Sequence, residues 1–79
     1  MRTRPLPYLK PSLDEYRDYI SETVAIGAIS AEMVRLSTLI GDDDALKYHL
    51  HNMIGSVRLA RDVMRDLDAA KATEIEHAA

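Results

Sequence analysis

The 79-residue sequence predicts an all-α fold, an antiparallel two-helix hairpin that pairs into a dimeric four-helix bundle. Three observations lead there. Two long proline-free stretches carry apolar residues at helical spacing and flank a single mid-chain turn signal, Gly41-Asp42-Asp43-Asp44. In the second stretch Leu46, Leu50, Met53, Val57, Ala60, Met64 and Leu67 recur at 4-3-4-3-4-3 spacing, the heptad signature of a helix–helix seam. The first stretch is apolar on two sides, and a hairpin covers only one of them.

In chain order, residues 1–11 hold all three prolines, Pro5, Pro7 and Pro11, and read as an extended basic arm with Arg2, Arg4 and Lys10. Proline lacks the backbone donor and holds its predecessor in extended conformations. Residues 12–79 form the hairpin. Its first helix is expected over about 12–40. Ser12 followed by Glu15 reads as a capping box. Asp14, Glu15 and Asp18 place anions in the first turns, where the helix dipole favours them. Gly41 suits the left-handed position that ends a helix, and one of the three aspartates caps the next. The turn, 41–44, is short, so the helices must lie antiparallel. The second helix is expected over about 44–76, with a solvated end beyond Lys71.

The seven heptad positions of the second helix are the expected seam within the hairpin. On the first helix, one stripe runs through Leu13, Tyr16, Ile20, Val24, Gly27, Ala31 and Val34. A second, roughly opposite, comprises Ile26, Ile29, Met33, Leu36 and Ile40 and is the expected oligomer or partner interface. Soluble monomers rarely leave such a strip uncovered. Burying five such side chains stabilises by on the order of 10 kcal/mol as an upper estimate. Oligomer contacts are expected to concentrate at the Ile26–Ile40 end, because Asp14, Asp18 and Glu22 occupy that side of the first helix earlier on.

Composition narrows the functional classes. Apolar residues make up 47% and charged residues 29%, a globular balance. The aromatic residues are all tyrosine, so the core must be aliphatic. Without cysteine no disulfide reinforces a domain this small. A net charge of −3 disfavours a uniformly cationic nucleic-acid binder. No leader or membrane span is expected, and the reading is a cytoplasmic protein of a bacterium or phage.

No combination of side chains reads as a catalytic or metal site. His49 and His51 stand about 200° apart on a helix and cannot share a metal. Glu74 and His77 have the spacing used by di-iron bundles, but Glu32, on the facing helix, lies at a different height. The Asp42–Asp44 run lacks the alternation and later glutamate of a calcium loop. Ser21, Ser30, Ser37 and Ser56 have no nucleophile turn around them. No cofactor, metal, membrane or small-molecule substrate is therefore expected. One basic stripe, Lys47, Arg58, Arg61 and Arg65, could contact a polyanion or an acidic partner.

The outline of a short-turn hairpin that dimerises resembles the plasmid copy-number regulators of the Rop type, which bind RNA loops. The stretch Val63-Met64-Arg65-Asp66-Leu67-Asp68-Ala69-Ala70 is similar to part of the type III secretion needle subunits. The first resemblance implies an RNA- or DNA-binding regulator, and the second a self-assembling structural subunit. The residues themselves point to a non-enzymatic interaction module: a regulator, inhibitor or adaptor that pairs with itself and engages a larger protein.

Overall fold

The computed structural model describes residues 11–78, with side-chain surroundings given for 11–75. The proline-rich arm lies outside the described residues, apart from Pro11. Two helices pack against each other as a hairpin: α1, Leu13–Ile40, and α2, Asp43–Ala78. Among the described residues there is no strand.

Local chemistry sets each boundary. Ser12 is extended, and its hydroxyl accepts a hydrogen bond from the Glu15 amide at 3.1 Å. Asp14 and Glu15 lie in the first turn of α1, beside its unpaired amides. At the other end Gly41 adopts φ 72°, where a Cβ would be strained. The Gly41 amide donates to the Thr38 carbonyl and the Asp42 amide to the Ser37 carbonyl, the paired bonds of a Schellman motif. Asp42 then starts α2 by accepting the Ala45 amide on its carboxylate at 3.0 Å. One residue thus closes the first helix through its backbone and opens the second through its side chain.

The seam differs from the expected one. On α1 the buried residues are Thr23, Gly27, Ser30 and Ser37. Leu13, Tyr16, Ile20 and Val34 are half-buried beside them, whereas Val24 and Ala31 of the expected stripe are exposed. On α2, Leu46, Met53 and Ala60 are half-buried and Leu67 is buried, but Leu50, Val57 and Met64 lie outside. Their places are taken by His49, Ser56 and Val63, with Asn52 also half-buried. Close approach is the cause. A Cβ built on Gly27 would lie 3.1 Å from the Ser56 Cβ, so the helices meet there with no room for a large side chain. Bulky residues are turned to the flanks.

Two of the seam's hydroxyls are satisfied within their own helix. Thr23 donates to the Tyr19 carbonyl at 2.8 Å and Ser37 to the Met33 carbonyl at 2.7 Å. Among the described residues no buried side-chain polar atom lacks a partner. A buried unpaired hydroxyl would cost roughly 1–3 kcal/mol.

Candidate interaction surface

One described hydrophobic residue is buried, Leu67, at 4% exposure. Most large aliphatic side chains lie instead toward the outside of the hairpin, and two groups of them stand out.

The first group is the strip expected from the sequence. Ile26, Ile29, Met33, Leu36 and Ile40 are all exposed on α1, from 38% at Met33 to 77% at Ile40. Beside it Arg35 makes a forked ion pair with Glu32, its Nε 3.1 and 3.2 Å from the two carboxylate oxygens. The hydrogen bond from Arg35 holds the Glu32 carboxyl below its usual range, and Glu32 raises Arg35 in turn. Both side chains are solvent-exposed, so the pair marks the wet edge of the strip.

The second group is formed by both helices together and was not anticipated. Along one side of the seam runs an open groove lined by Val24, Gly27, Ala28, Ala31, Met53, Ser56 and Val57, with no charged residue. Leu50 and Met64, each seven residues from Val57, continue its α2 wall. The groove on the other side of the seam is mixed, with Glu22, His51 and Asn52 beside Tyr19, Ile26 and Leu59. The signal for the apolar groove was already in the heptad: Leu50, Val57 and Met64 are three of the seven expected seam positions, displaced to its flank.

The same surplus gives α1 a property the sequence reading passed over. By length and composition it is apolar enough to cross a membrane, where the sequence alone leads to the expectation of no span. Core helices of assemblies pass the same test. The Glu32–Arg35 pair sits within the apolar half of α1, and α2 carries charge along much of its length.

The basic stripe is exposed at Lys47, Arg58, Arg61 and Arg65. Asp62 already pairs with Arg61 at 3.2 Å and with Arg65 at 3.8 Å. His49 is half-buried and meets the Tyr48 ring edge-on at 5.1 Å, whereas His51 is exposed beside the mixed groove. Among the described residues no three His, Cys, Asp or Glu gather as metal ligands. The side chain of His77 lies outside the described set. Ser37 is hydrogen-bonded to its own helix, Ser30 and Ser56 are packed in the seam, and Ser21 is exposed.

Comparison with protein-family models, with curated proteins and with solved structures gave no match. What the chain does must therefore be read from its own surfaces.

Proposed function

We propose that this chain is a small non-enzymatic interaction module, a regulator, inhibitor or adaptor. In this reading it completes its core by pairing with a second copy as a four-helix bundle and engages a larger protein through the outer strip of α1. The observation that carries the reading is the inverted distribution of side chains. The described residues bury a single hydrophobic side chain and leave Ile26, Ile29, Leu39, Ile40 and Val57 open to water. A domain is ordinarily two packed layers around a core. This hairpin is one layer, 14 Å across its thinnest direction. Such a layer does not bury enough apolar surface to offset the chain entropy of ordering two long helices. A protein built this way depends on what covers it, which is the physical signature of a binding module.

The outer strip fits the partner role because it lies on a single helix, as an i, i+3, i+7 series of large side chains. The mixed groove, which sets Glu22, His51 and Asn52 beside Tyr19, Ile26 and Leu59, is left outside this reading. The test is binding by the intact chain. Protein captured from source-cell extract by the wild type should be lost with Ile29→Asp and with Met33→Asp, and retained with the exposed control Lys71→Ala. Capture unchanged by both aspartates removes the strip from the account.

A further inference from the structure

We infer that a second copy of the chain covers the uncharged groove face of the hairpin, the face of Val24, Ala28, Ala31, Met53 and Val57, and that the outer α1 strip stays out of that contact. This rests on the self-pairing part of the proposed function and assigns its surface.

Four observations select this face and this occupant. The face belongs to both helices, so covering it closes the open side of the Gly27–Ser56 seam as well as hiding side chains. Its lining carries no charge. In a two-fold contact the same patch meets itself, and any charge near the axis would confront its own image. The relief is complementary: α2 contributes Leu50, Met53, Val57 and Met64, whereas α1 contributes the small Ala28 and Ala31 around Gly27. Large side chains of one copy therefore have shallow small-residue ground to enter on the other, which is how knobs fill holes between helices. The area of the whole face also fits. About 40 Å long and about 20 Å wide, from the length of α1 and the usual spacing of packed helices, it offers about 800 Å² per copy, the standard share of a stable interface, with the uncharged groove near its middle. The outer strip offers one helix only, bordered by the Glu32–Arg35 pair.

The two surfaces can be told apart by a thiol reporter, because the chain has no cysteine of its own. Val57 and Ile29 are almost equally exposed in the single hairpin, at 63% and 67%. Uncovered, Val57→Cys and Ile29→Cys would react with a bulky maleimide at similar rates. Covered as inferred, Val57→Cys reacts at least about tenfold more slowly at concentrations where the mass is that of a dimer, and the difference vanishes on dilution. Ala28→Cys, a small-for-small exchange on the opposite helix, should show the same protection and serves if Val57→Cys disturbs pairing. Equal rates at a dimeric mass, or protection at Ile29→Cys in place of Val57→Cys, overturn the assignment while leaving self-pairing intact. A monomeric mass at all concentrations overturns self-pairing and this face with it.

Discussion

Gly27 and Ser56 govern how far apart the helices sit. With a Cβ position only 3.1 Å from Ser56, Gly27 has no tolerance for bulk. Gly27→Leu should force the helices apart and lower the melting temperature markedly, read by circular dichroism. Gly55 is the internal control, for a Cβ there meets nothing within 4 Å. In a helix interior the exchange Gly55→Ala should stabilise by about 0.5–1 kcal/mol, seen as a higher denaturant midpoint with unchanged slope. The opposite signs at two helical glycines separate close approach from ordinary propensity. At Glu32 the folded-state proton affinity is lowered, so its contribution is present above the usual glutamate range and is lost as pH falls through it. Glu32→Gln should flatten the acid limb of the helicity-versus-pH curve slightly, and no more than slightly, because both members of the pair are exposed.

At the scale of the elements, the hairpin itself was legible and its register was not. Ser12, Gly41 and Asp42 have chemistry that works within a few residues, so they signal helix ends without knowledge of the partner helix. Gly41→Ala should cost about 1–2 kcal/mol, because its φ of 72° penalises any Cβ, and Ser12→Ala about 1 kcal/mol for the lost cap; urea titration measures both. The seam was read from hydrophobicity, and there the reading failed for a physical reason. Two heptad rows of α2 share Leu46, Met53, Ala60 and Leu67. One continues through Leu50, Val57 and Met64, the other through His49, Ser56 and Val63. Greasiness favours the first, but steric fit against Gly27 favours the second. The hydroxyls of Thr23 and Ser37 also looked polar until they were seen bonded to carbonyls four residues earlier. The strip Ile26–Ile40 was legible as apolar, but the joint groove needed both helices in place to be seen.

At the scale of the molecule, α1 and α2 make a thin layer whose apolar side chains face outward. Under the proposed pairing, folding is coupled to association, so apparent stability should rise with concentration. Association through an uncharged face should respond weakly to sodium chloride and strengthen in sulfate, since its driving force is apolar burial. A polyanion bound through Lys47, Arg58, Arg61 and Arg65 would behave in the opposite way, weakening steeply with salt. The uncharged lining of the groove makes the first behaviour the expected one.

The central claim, that one hairpin is an incomplete core, is tested most directly by light scattering and far-ultraviolet circular dichroism on one dilution series of the intact chain. The account predicts a dimeric mass at high concentration and a loss of helicity that follows the loss of mass on dilution. A monomer that keeps full helicity at the lowest concentration, with a melting temperature independent of concentration, would contradict it.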